Sequence, residues 1–247
     1  MKLVKSFTFI VAIVGSFLLA VTSHAQETLN FASTPGATIQ FNGAAQSFQF
    51  NTSTSNNFVG SQWQIGSESG SQATGSAVNL FGVFGNGPFS YGAVSTTPIP
   101  FGTLQTATIT DPSGALAIND GAGNFLTANV AWIDLDTFDY SGGINAWLVV
   151  NVTDVAYTGN NLDLKTLFAD SPASMDLTFQ FSPGMTLSDL STGSGPYQTS
   201  FSSSISVVPE PTSVGCFLLG LCVLIFTRRF RQNSAFDSSH STQFTNC

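Results

Sequence analysis

Met175-Asp176-Leu177-Thr178-Phe179-Gln180-Phe181-Ser182 alternates apolar and polar residues without a break. Successive side chains of a strand point to opposite faces, so a period of two marks a β-strand with one face buried. The pattern returns in a last strand, where Tyr197, Thr199, Phe201, Ser203, Ile205 and Val207 alternate with Gln198, Ser200, Ser202, Ser204 and Ser206. It appears again at Phe48 and Phe50, and more loosely at Val59, Ser61, Trp63 and Ile65. Two longer runs, 125–134 and 144–157, are apolar on both faces in places, as central strands of a two-layer fold are.

Turn signals separate these runs. They include Asn86-Gly87-Pro88, Asp111-Pro112-Ser113-Gly114, Asn119-Asp120-Gly121, Ser141-Gly142-Gly143, Gly159-Asn160-Asn161 and Ser182-Pro183-Gly184. Residues 162–168 suit one short helical turn, 66–76 a Gly/Ser-rich loop, and 191–196 a turn before the last strand. Many short strands with regular turns and no fixed-period repeat predict an antiparallel β-sandwich or jelly roll over 26–207.

Charge divides the 247 residues into three parts. Only 8% are charged and the net charge is −8, with 23 Phe and 23 Gly. Such a chain is too apolar for intrinsic disorder and too poor in charge for a coiled coil. From 26 to 208 there are twelve acidic residues against one basic residue, Lys165, a balance of −11. That body would be repelled by nucleic acid. The other five cations flank apolar runs at the two ends.

At the N-terminus, Lys2 and Lys5 precede an apolar run over 7–21, and Ser23 and Ala25 supply the small residues that signal peptidase needs. Residues 1–25 therefore read as a signal peptide, a helix too short to be a span and cleaved after Ala25. Export machinery of the Sec type and signal peptidase are the implied partners.

At the C-terminus, residues 214–226 carry no charge, and Arg228, Arg229 and Arg231 follow at once. Residues 212–227 read as a short transmembrane helix with the Arg side cytoplasmic. At 1.5 Å per residue it reaches only about 24 Å, short of the hydrocarbon core, so it suits transient inner-membrane insertion better than permanent anchoring. Pro209-Glu210-Pro211 precedes it, followed by Thr212 and Ser213. Two prolines around one residue hold the backbone extended, as a processing enzyme requires.

The order Pro-Glu-Pro, Thr-Ser, apolar helix and Arg cluster, over 208–231, resembles the PEP-CTERM sorting signal of Gram-negative bacteria. The resemblance implies export, insertion of the helix, and cleavage near the motif by an exosortase-like transpeptidase. It further implies delivery to the outer surface or the exopolysaccharide matrix. The chain departs from that pattern in its polar cytoplasmic tail, 232–247. Cys216 and Cys222 lie in the apolar helix and Cys247 ends the chain, so the exported body folds without disulfides.

The body lacks His, Cys and Arg. This removes a Ser-His-Asp triad, a thiolate nucleophile, a His-based zinc site and an Arg phosphate clamp. A glycosidase would have to use carboxylates, and Glu27, at the mature N-terminus, and Glu68, in the Ser/Gly loop, are expected to be unburied. Asp134, Asp136 and Asp139 form the closest acidic group. Asp134 and Asp136 share a strand side and Asp139 lies near the hairpin turn, a set that Ca²⁺ would relieve of repulsion. Asn119 to Asn124 is read as a turn. Trp63, Trp132 and Trp147 lie in apolar runs and are expected in the core, with sugar stacking as the alternative. Rows of Ser and Thr at 200–206 and 106–110 suit a solvated face, with an ice-binding surface as a remote alternative.

The sequence thus predicts a non-catalytic surface or matrix protein with a structural or adhesive role in exopolysaccharide. A carbohydrate-binding module is the second reading. An exposed aromatic row on one sheet face would favour it, and a cleft with two facing carboxylates would favour a glycosidase.

Overall fold

The computed structural model describes residues 27–207 except 71–72, 141–142 and 170–171. The signal peptide with Ser23 and Ala25, the motif residues Pro209 to Ser213, the helix 212–227, the Arg cluster and the tail lie outside the described residues. Among the described residues no helix is long and apolar enough to cross a membrane.

The body, a compact unit of its own, is all-β and antiparallel. In chain order the strands are β1 (Thr28–Ser33), β2 (Thr38–Asn42), β3 (Ser47–Asn51), β4 (Trp63–Ser69), β5 (Phe81–Gly85), β6 (Phe89–Ser90) and β7 (Ser95–Ile99). Then follow β8 (Gly102–Thr108), β9 (Ser113–Asn119), β10 (Phe125–Tyr140), β11 (Gly143–Ala156), β12 (Ala173–Phe179), β13 (Tyr197–Thr199) and β14 (Phe201–Val207). Two short helices complete it: α1 (Leu162–Ala169) and α2 (Leu187–Thr192).

One sheet closes on itself. Its order is β11-β12-β14-β1-β4-β5-β9-β10, and β10 pairs back to β11. The eight strands form a barrel-like ring where the sequence pattern predicted two open layers. The length of β10 makes this possible. Its first half pairs with β9 and its second half, from Asp134, with β8, while β11 runs along its other side. The register shifts between Trp132 and Leu135 mark the irregularity where β10 changes neighbour. Closure leaves the ring without an exposed edge; β8 and β7 extend from the far half of β10.

A second sheet, β13-β2-β3-β6, covers the ring end where β14 begins. Phe41 meets Phe179, and Phe50 meets Phe84, Phe201 and Trp132, the last stacked at 5.4 Å. Trp132 also touches Phe48 and Phe89. The predicted last strand is divided here: Tyr197 to Thr199 pairs with β2 in the small sheet, and the chain enters the ring at Phe201. Ser200 is the corner between the two sheets.

An eight-stranded ring is just wide enough to be filled by side chains. Leu29, Ile65, Leu116, Ile118, Leu126, Val150, Leu177 and Ile205 fill it, and α1 adds Leu164 and Leu167. Trp63 and Trp132 are fully buried core residues, whereas Trp147 is half-buried on the outer face. Trp63 lies across from Gly82, where a Cβ would overlap the indole ring. Val59, expected in a strand, is 71% exposed in the loop before β4.

Candidate functional site

Three carboxylates meet at the ring end that bears α1. Glu27 precedes β1, Glu68 lies near the end of β4 opposite Leu29, and Asp163 lies in the first turn of α1. One oxygen of each lies within 4.8 Å of the others. Glu27 is 2% exposed and Asp163 is fully buried, and Glu68 is partly buried. The expectation that Glu27 and Glu68 are unburied is thereby corrected: the β1–β4 pairing brings both under the loop that follows β4.

That loop supplies the counter-groups. Five consecutive backbone N–H groups point at two carboxylates. Thr74 donates to Asp163 Oδ1 at 2.8 Å and Ser76 to Asp163 Oδ2 at 2.6 Å. Gly75 donates to Glu68 Oε2 at 3.1 Å, and Ala77 and Val78 to Glu68 Oε1 at 2.7 and 2.9 Å. The hydroxyls of Thr74 and Ser76 add bonds to Asp163 Oδ2. Asn161 donates from Nδ2 to Ser76 O and accepts on Oδ1 from Leu164 N, capping α1.

The two carboxyls titrate in opposite directions. Burial raises Glu68, and its hydrogen bond to Asp163 and the Asp163 charge raise it further, against the Ala77 N–H. Burial also pushes Asp163 upward, but hydrogen bonds from Glu68, Ser76 and Thr74 outweigh it and hold Asp163 well below the carboxylate range. The shifts thus favour the proton on Glu68 and the charge on Asp163.

Two chemical uses can be weighed. A hard cation would need the carboxylate lone pairs. Asp163 Oδ2 already accepts from Thr74, Ser76 and Ala77, so a cation would have to displace loop amides. A glycosidase pair needs carboxyl groups about 5 Å or more apart with a sugar bond between them. Oxygens of Glu68 and Asp163 lie within 4.8 Å of each other, beneath a loop that both of them bind. The arrangement fastens a loop.

The predicted acidic set lies in the second half of β10. Asp134 and Asp136 share the outer face of β10, opposite Thr108 and Thr106. Asp139 falls on the other face, with Leu135 and Thr137, because strand alternation is unbroken from 134 to 140. Burial raises Asp136, helped by the Asp134 charge and opposed by hydrogen bonds with Thr106 and Trp147.

Asp120 binds the predicted turn together. It accepts from Ala122 N and Asn124 N on Oδ1 and from Asn124 Nδ2 and Tyr157 OH on Oδ2, all at 2.8–2.9 Å. The Asn124 side chain leads in lowering its pKa to about 2, against slight burial. The hydroxyl rows pair partly among themselves, as in Thr28 with Ser206 and Thr178 with Ser202.

A second candidate is an open cavity of about 270 Å³ on the outer face of the ring. Phe81 on β5 is opposite Asn119 on β9, and Asn119 is opposite Phe125 on β10. Phe58, from the loop before β4, stands edge-on to Phe81 at 5.8 Å and 74°. The sequence reading, directed at the tryptophans, missed this row. Phe81, Asn119 and Phe125 each sit at a strand end, where no alternation shows which way they face.

No family model, curated protein or solved structure matches this chain.

Proposed function

We propose that this chain is an exported cell-surface or matrix protein with a non-catalytic, structural or adhesive role in exopolysaccharide. In this reading the PEP-CTERM-like tag at 208–231 routes it through the inner membrane, and an exosortase-like enzyme releases or transfers it. The order of Pro209-Glu210-Pro211, the apolar run and Arg228-Arg229 supports the routing. One structural observation carries the non-catalytic part. The three carboxylates that the fold gathers lie beneath a loop whose amides bind Glu68 and Asp163, so the closest acidic group among the described residues serves the architecture.

The test is the mature C-terminus. Mass spectrometry of the surface and culture fractions should find a chain ending near Pro209 to Ser213. A surface protein that retains 214–247 overturns the proposed processing. The second reading, a carbohydrate-binding module, is favoured by the outward aromatic row of Phe81 and Phe125 and is developed below.

A further inference from the structure

We propose that the cavity on the outer face of β5, β9 and β10 binds a neutral oligosaccharide, which stacks on Phe81 and Phe125 and hydrogen-bonds to Asn119 between them. The inference deepens the adhesive reading above by naming its ligand class and its site.

The row is built by the sheet itself. Gly82, Phe84, Leu116, Ile118 and Leu126 face the ring interior, so Phe81, Asn119 and Phe125 face outward by alternation. They stand in register on three neighbouring strands. Two strand spacings place the backbones that carry the two phenyl rings about 9.6 Å apart, a span suited to an extended disaccharide. Asn119 Oδ1 accepts from Gly121 N at 2.8 Å, which fixes the side-chain amide in the cavity lining. Asn57 adds a second amide at the rim.

The site is ordered before any ligand arrives. Ser53 N donates to Ser61 O, Gly60 N to Ser53 O and Ser61 N to Phe58 O, which closes the loop that carries Phe58. Phe58 then fixes Phe81 by its edge-on contact. Pre-ordering lowers the entropy lost on binding. Phe125 remains 52% exposed, a large apolar ring kept in water beside a cavity.

Three observations choose the occupant. The lining carries no charged residue while the body is strongly acidic, so an anionic ligand is repelled and a neutral one is not. The floor belongs to interior strands of a closed ring, so no backbone edge is open for a peptide strand. Amides of Asn57 and Asn119 interrupt the apolar surface, which suits the alternating apolar faces and hydroxyls of a sugar better than a lipid chain.

The experiment uses the purified full-length chain in detergent and a panel of probes: cellohexaose, laminarihexaose, maltohexaose and, as the anionic comparison, hexagalacturonate. At least one neutral hexasaccharide should bind. Phe125→Ala should weaken that binding by about tenfold or more, and Phe125→Tyr, which keeps the ring, by less than about threefold. Phe101→Ala, at an 83% exposed ring on the β7–β8 turn, should leave it unchanged. Thermal melts of all three variants verify folding. Failure of every neutral probe, tighter binding of hexagalacturonate, or equal affinity of Phe125→Ala and the parent overturns the proposal. So does loss of self-association, without loss of sugar binding, in Phe125→Ala. Glycan binding is read on purified protein, whereas the routing proposal is read from the mature C-terminus, so the two can fail separately.

Discussion

Glu68 and Asp163 divide one loop between them: Ala77 N–H reaches Glu68 Oε1 at 2.7 Å and Asp163 Oδ2 at 3.2 Å. Strand β4 and helix α1 are joined through that loop. Asp163→Asn replaces one charge-assisted acceptor with a donor that faces other donors. It should cost about 2–3 kcal/mol, a fall in melting temperature of about 4–12 °C. A circular-dichroism melt at neutral pH measures it, and an unchanged midpoint would show that the loop is held by something else.

Asp120 makes a pH-dependent contribution of definite sign. Its folded pKa, about 2, lies below the ordinary Asp value of about 3.9. The stabilisation is complete above about pH 4 and is lost as pH falls toward 2, because the unfolded chain then binds the proton first. Melts of the parent and Asp120→Asn should differ above pH 4 and converge toward pH 2. A constant difference across that window would refute the assignment.

Trp63 leaves no room at Gly82. Gly82→Ala should destabilise by about 1–3 kcal/mol through overpacking, because the ring is fully buried and cannot retreat. Gly66, on the same strand as Trp63, has nothing within 4 Å of a built Cβ. Gly66→Ala should therefore be neutral or slightly stabilising. Urea titration of both variants compares the two sites, and equal effects would contradict the packing described.

Much of this was legible because strand alternation is local. The run from Met175 to Phe179 became β12 with Met175, Leu177 and Phe179 buried, as its period requires. The run from Tyr197 to Val207 has the same period, yet it serves two sheets. Alternation reports which side chains share a face and says nothing about which neighbour a strand takes. Closure of the ring was hidden for the same reason: it depends on β10 pairing with β9 on one side and with β11 on the other. Glu27, Glu68 and Asp163 were unreadable as a group because no spacing links a chain start, a strand end and a helix turn. Only the β1–β4 register and the position of α1 bring them together.

Calcium gives a further check on that group. Loop amides occupy the oxygens of Glu68 and Asp163, and Asp139 faces away from Asp134 and Asp136. Millimolar Ca²⁺ and chelator should give melting temperatures within about 1 °C of each other. A larger rise with Ca²⁺ would mean that a cation displaces the amides.

Val207 N donates to Glu27 O at 3.1 Å, so the first and last described residues are neighbours across the β1–β14 ladder. This sets a mechanical anisotropy. A pull applied to both ends at once opens β1 from β14 like a zipper, one hydrogen bond after another, at low force. A pull between Val207 and the turn bearing Phe101, beyond the opposite end of the ring, instead shears β14 along its whole length against β1 and β12. A body held on a surface by one terminus and gripped at its far end would be loaded in its strong direction.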